Sequence, residues 1–173
     1  VSDYLIRSPI VRKVTFTGSV PVGKQLAGLA ASLMKRSTME LGGHAPVSVC
    51  DDADSDSAVK QLVPFKFRNA GQVCISPTRF YVQDGVYDKF VDAFVAMTQQ
   101  LKVGDGLTEG TAMGPLAMKR RVGAVAGFVD DAKARGAKVL TGGSTLEGTG
   151  SFYAPTVIAD APVTVYGLNR APF

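Results

Sequence analysis

A chain of 173 residues, 46% of them hydrophobic, is long enough to bury one substantial core and has the composition of a soluble globular protein. No run approaches the roughly 20 apolar residues of a membrane span, and the start lacks the basic-then-apolar pattern of an export signal. The net charge of +4 is scattered, with short clusters at Lys35-Arg36 and Lys119-Arg120-Arg121; no aromatic residues interleave with them, so they read as solvated helix faces, and nucleic acid is not an expected partner.

Strand-like and helix-like segments alternate along the chain, which predicts an α/β architecture. Residues 11–17 are short and β-branched and predict a strand. Residues 19–35 predict a helix with Val22, Leu26, Leu29, Ala30 and Leu33 on one face. A second apolar strand is expected over residues 46–50, followed by an acidic turn in which Asp54 or Ser55 caps the next helix. That helix, residues 56–69, contains Pro64, which lacks an amide donor and is expected to kink or interrupt it. Residues 78–82 predict a strand, and residues 86–101 an amphipathic helix carrying Phe90, Phe94 and Met97. A long helix is expected over residues 115–135, begun by Pro115 and stopped by Gly136. Residues 137–140 and 153–158 read as strands, and there is no internal repeat.

Three segments carry chemistry. Thr17-Gly18-Ser19 joins a strand to a helix, so backbone N–H groups at the helix start and the positive end of its dipole can meet an anion such as a pyrophosphate. Gly18 permits close approach, Ser19 offers a hydroxyl, and Gly23 keeps the first turn slim. An ordinary strand-to-helix turn capped by Ser19 is the alternative, because the spacing is not the six-residue dinucleotide fingerprint. Lys24 is expected to face solvent.

Cys74, in Asn69-Ala70-Gly71-Gln72-Val73-Cys74, is a thiol with small neighbours that would let a substrate approach. Nucleophilic catalysis needs its thiolate, and the only cation recognised nearby is Arg79. Cys50, at the end of an apolar strand, reads as an inert buried thiol. Two cysteines make no disulfide framework, so reduced thiols in a cytoplasmic enzyme are expected. With one histidine they also make no metal site. Glu40 opens Glu40-Leu41-Gly42-Gly43; a carboxylate buried in an apolar run would need a raised pKa or a specific partner, and the alternative is a surface glutamate at a strand edge.

Together, Phe16-Thr17-Gly18-Ser19-Val20-Pro21-Val22-Gly23, Glu40-Leu41-Gly42-Gly43 and Asn69-Ala70-Gly71-Gln72-Val73-Cys74 resemble the aldehyde dehydrogenase superfamily in wording and order. The resemblance covers nearly the whole chain but only the middle of a family member, so a central piece of a longer protein is expected. It implies an aldehyde dehydrogenase-like fold: residues 1–40 end a Rossmann-type dinucleotide-binding domain, and residues 41–173 begin a catalytic domain with a largely parallel sheet.

It also implies NAD or NADP as cofactor, contacted by Gly18, Ser19, Val22, Gly23, Leu41 and Gly42. Cys74 would be the nucleophile and Glu40 the general base. Leu41-Gly42-Gly43-His44-Ala45-Pro46 and Cys74-Ile75-Ser76-Pro77-Thr78-Arg79 look most like the branch that handles succinate or 2-oxoglutarate semialdehyde. Ser76 is then a candidate donor to the substrate carboxylate, and Arg79 a brace for the following strand. The family implies a homo-oligomeric parent, with no membrane partner.

Some features depart from the family pattern. Its oxyanion-binding asparagine and cofactor-binding lysine belong to segments upstream of Val1. Asn169-Arg170-Ala171-Pro172-Phe173 stands where the family has Asn-Glu-Glu-Pro-Phe, so Ala171 replaces a glutamate that grips the nicotinamide ribose. Pro64, in the helix that leads towards the thiol, is a further oddity. The isolated chain is therefore expected to turn over little or no aldehyde. Two other readings stay open: a non-catalytic remnant of the fold, and a cysteine hydrolase that would depend on His44.

Overall fold

Residues 1–170 are described by a computed structural model of the chain, and they divide after Gly43 into two units. The first holds α1 (Ser2–Arg7), β1 (Lys13–Gly18), α2 (Val20–Ser32) and β2 (Arg36–Leu41). β1 and β2 pair in parallel, with Thr17 opposite Glu40 and Gly18 opposite Leu41, and α2 is the crossover between them. Ile6, Val14 and Ala30 form the buried centre, covered by Leu26, Leu29, Leu33 and Met39. The strand β2 was not anticipated: Arg36-Ser37-Thr38 is too polar to signal one by itself. Parallel pairing with β1 supplies its hydrogen bonds. Lys35 leaves the expected helix face and donates from Nζ to the carbonyls of Ile6 and Ser8, while Arg36 begins β2.

α2 ends in a Schellman motif: Lys35 N–H reaches Ala30 C=O at 2.9 Å and Met34 N–H reaches Ala31 C=O at 3.0 Å. The left-handed position is filled by Met34, at φ 54°, where glycine is the usual solution.

The second unit, beginning at His44, holds β3 (Ala45–Val49), α3 (Ser55–Phe67), a 3-10 turn (Arg68–Gly71), β4 (Pro77–Val82) and α4 (Asp84–Gln99). After these come α5 (Lys119–Ala134), β5 (Lys138–Thr141), β6 (Val157–Ala159) and α6 (Tyr166–Asn169). β3 and β4 are parallel, as a crossover through α3 requires. β5 and β6 are antiparallel, joined without a helix. Val49, Val59, Val63, Phe67, Phe90 and Phe94 fill the main core, where the Phe80 and Phe94 rings meet edge-on at 5.2 Å. Asp54 caps α3 by accepting from the N–H groups of Asp56 and Ser57, both at 3.1 Å.

Three expectations are corrected. Pro64 does not interrupt α3, which continues to Phe67; the proline is exposed, so the carbonyl it leaves without a donor can turn to water. α5 begins at Lys119 rather than at Pro115, because Leu116 N–H is taken by Ser151 C=O and Ala117 N–H by the Gln72 side chain. The strand expected from Tyr153 is confined to Val157–Ala159, with Tyr153 in an isolated bridge to Thr145. None of the described helices is long and apolar enough to cross a membrane.

Candidate active site

The turn between β1 and α2 has the form expected of an anion cradle. Ser19 occupies the N-cap with no side-chain capping bond, Pro21 lies in the first turn, and no acidic residue stands there. Pro21 has no N–H and Gly23 N–H is bonded to Ser19 C=O, which leaves the Val20 and Val22 N–H groups and the exposed Ser19 hydroxyl at the positive end of the helix. This is a fit for the phosphates of a dinucleotide, on the chemistry of the donors present. Val22 is exposed beside it, and so is Lys24.

Gly23 also packs against the end of β2. It is buried, and a Cβ there would lie 2.5 Å from the Leu41 side chain. Gly23 therefore sets how closely α2 packs on the end of β2, and through Leu41 it bears on Glu40 and Gly42. Leu41 and Gly42 are half-buried at that end. Glu40 itself is exposed on β2, so the apolar burial expected for its carboxylate is not found.

In the second unit, Cys74 is exposed in the turn that leads into β4. The loop before it is strained. Asn69 (φ 53°, ψ 35°), Ala70 (φ 56°, ψ 32°) and Gly71 (φ 74°) are three successive residues in the left-handed region. Asparagine and glycine tolerate it; alanine costs about 1–2 kcal/mol there. Polar ties hold this arch. Asn69 Nδ2 donates to Gln72 C=O at 3.2 Å, Gln72 Nε2 returns to Asn69 C=O at 3.0 Å, and Gln72 Oε1 accepts from Ala117 N–H. Ala70 packs against both the main core and the cluster around Leu116 and Tyr153. The arch and the start of β4 therefore fix where the thiol is presented.

Lys66 runs beneath the arch. Its ammonium donates to Ser76 Oγ at 3.3 Å, and Ser76 Oγ donates to Lys66 C=O at 3.1 Å. A Cβ on Gly71 would lie 3.3 Å from Lys66 Nζ, close enough to press on the lysine, and φ 74° itself favours glycine there. Burial lowers the Lys66 pKa to about 8. Ser76 is 1% exposed and wholly engaged in this clasp.

Sequence reasoning missed Lys66 and Arg68. The available signal was the run Lys66-Phe67-Arg68, two cations closely preceding the thiol. Arg68 is exposed, with its guanidinium 5.8 Å from the centre of the Phe65 ring.

His44 makes a side-chain contact with Thr78, Nδ1 to Oγ1 at 2.6 Å, and its ring lies close to the Arg170 backbone. Burial, then the charge of Arg79, lowers its pKa. Arg79 braces α6 through Leu168 C=O. Cys50, expected to be buried, is exposed just beyond β3. A cavity of about 490 Å3 lies under β4, bounded by Lys66, Phe80, Phe94, Phe128 and Val157; Cys74 is not among its walls. Ala171 lies outside the described residues.

The profile of the aldehyde dehydrogenase family matches residues 1–166. A 4-(hydroxymethyl)benzenesulfonate dehydrogenase of Comamonas testosteroni is 52% identical over 173 residues, all of this chain and 36% of that protein. A mitochondrial succinate-semialdehyde dehydrogenase of Arabidopsis thaliana is 51% identical over 160 residues, 92% of this chain and 30% of the relative. Among solved structures, succinate-semialdehyde dehydrogenase from Burkholderia pseudomallei matches with a TM-score of 0.95 at 39% identity, over 99% of this chain and 36% of that one. The chain spans about a third of the length of the curated relatives it matches.

Proposed function

The chain belongs to the aldehyde dehydrogenase family, and from that premise we propose that its parent protein oxidises an anionic aldehyde, such as a semialdehyde, to a carboxylate with NAD or NADP. The observation that carries the reading is Cys74, an exposed thiol on a loop whose backbone is strained and tied from both sides.

The Cys74 thiolate adds to the aldehyde carbon, and the carbonyl electrons become an oxyanion that the Cys74 N–H can stabilise. A bound nicotinamide would supply the acceptor for the hydride that leaves this carbon. The thiohemiacetal thereby becomes a thioester. Glu40 takes a proton from water, the hydroxide adds to the thioester carbon, and the carbon–sulfur bond breaks to free the acid and restore the thiolate. The β1–α2 turn, through Gly18, Ser19 and Val22, would hold the anionic part of the cofactor, with Leu41 and Gly42 beside the base.

An anionic substrate is supported by the names of two relatives, a benzenesulfonate and a succinate semialdehyde dehydrogenase. Ser76 is engaged with Lys66, so the partner proposed for the substrate anion is instead Arg68, an exposed guanidinium on the same loop as Cys74. The test is nicotinamide reduction by the full-length protein with succinate semialdehyde. Cys74→Ala is expected to abolish it, and Glu40→Gln to leave a single-turnover burst with slow release; full steady-state activity in Cys74→Ala rejects the reading.

A further inference from the structure

The strained arch and the cation beneath it suggest more than fixed positioning. Lys66 is mostly buried, with one long hydrogen bond to the Ser76 hydroxyl. Among the described residues no carboxylate pairs with it. The charged or titratable groups around it are His44 before β3, Arg79 on β4, and Arg68 and Cys74 on its own loop. Tyr87 of α4 and Asp160 after β6 line the cavity that Lys66 also lines, and there they are bonded to each other. Asp160 is also paired with Lys138. An ammonium so placed loses hydration without gaining a counter-charge. The covering segment is Asn69, Ala70 and Gly71, all left-handed, so its closed form also carries backbone strain.

We propose that the arch over Lys66 is a proton-coupled hinge: it opens with the lysine charged and hydrated, and closes most firmly over the neutral amine. The ties from Gln72 to Asn69 and Ala117 hold the closed form, and Gly71 is the point where the lysine passes. Because Cys74 stands on the same loop, the order of the thiol follows the state of Lys66. Lys66 is thus a positioning residue, and only this consequence for turnover rests on Cys74 being the nucleophile.

The sign follows from linkage. The closed form binds the lysine proton with a pKa of about 8, and a hydrated lysine near about 10.4. Between those values opening takes up a proton, so closure strengthens as pH rises, by at most about tenfold per pH unit. His44 titrates below this window, since its pKa is lowered from 6.5.

The experiment is millisecond hydrogen-exchange labelling of the full-length protein in a Cys74→Ser background, which removes the thiol's own titration. After correction for intrinsic rates, amides of residues 69–76 are expected to gain protection between about pH 8 and pH 10. Lys66→Met and Lys66→Arg are each expected to abolish this dependence, with the methionine variant the better protected. Should either fold poorly, Ala70→Gly is expected to raise protection several-fold at every pH and keep the slope. A flat profile in the parent background, or an unchanged slope in Lys66→Met, overturns the proposal. Neither result bears on whether Cys74 is the nucleophile, which Cys74→Ala tests in the full-length protein.

Discussion

The turn at Gly18-Ser19 and the arch at residues 68–76 solve opposite problems. On the proposed reading the first would bind an anion with an ordinary backbone: Ser19 is extended at φ −72° and ψ 147°, and the donors are simply those a helix start leaves over. The second would present one reactive atom, on three left-handed residues that side-chain ties hold above Lys66. Binding an extended anion tolerates small displacements. Aligning a sulfur with a carbonyl carbon does not, so on the proposed reading the strained backbone lies where the tolerance is smaller.

This contrast predicts unequal responses. The largest is Cys74→Ala, which removes turnover in the full-length protein, against a loss of a few-fold in cofactor affinity for Ser19→Ala; steady-state kinetics with a cofactor titration separates the two. Next is Gly23→Val, expected to destabilise by about 2 kcal/mol through collision with Leu41, read as a lower urea midpoint. Gly71→Ala follows, at about 1–2 kcal/mol, because φ 74° and the passing lysine both oppose a side chain.

The smallest effects are stabilising. Met34→Gly is expected to add about 1 kcal/mol by relieving the left-handed residue that ends α2. α5 shows the same motif already solved: Ala137 N–H reaches Ala132 C=O and Gly136 N–H reaches Lys133 C=O, both at 3.0 Å, with glycine at φ 88°. Equal thermal midpoints for Met34→Gly and the parent chain would show that the strain is absorbed elsewhere.

Much of this was legible in the sequence because the signals are local. Asp54 could be read as a cap because an acceptor two and three residues before free N–H groups needs no distant partner. Gly136 could be read as a stop because a left-handed residue there favours glycine. The words around Gly18, Glu40 and Cys74 carried the resemblance, and the family match bears it out.

What only the tertiary structure decided is everything that depends on a distant partner. Arg36-Ser37-Thr38 becomes a strand because β1 lies beside it. Pro115 does not start a helix because Ser151 and Gln72 take the next two amides. Lys66, outwardly another surface cation, is drawn under the thiol's loop because Gly71 leaves room and Ser76 supplies an acceptor. Residue types and short spacings encode caps, stops and reactive groups. Which groups lose water, and therefore which ones titrate or strain, is set by packing between segments far apart in the chain.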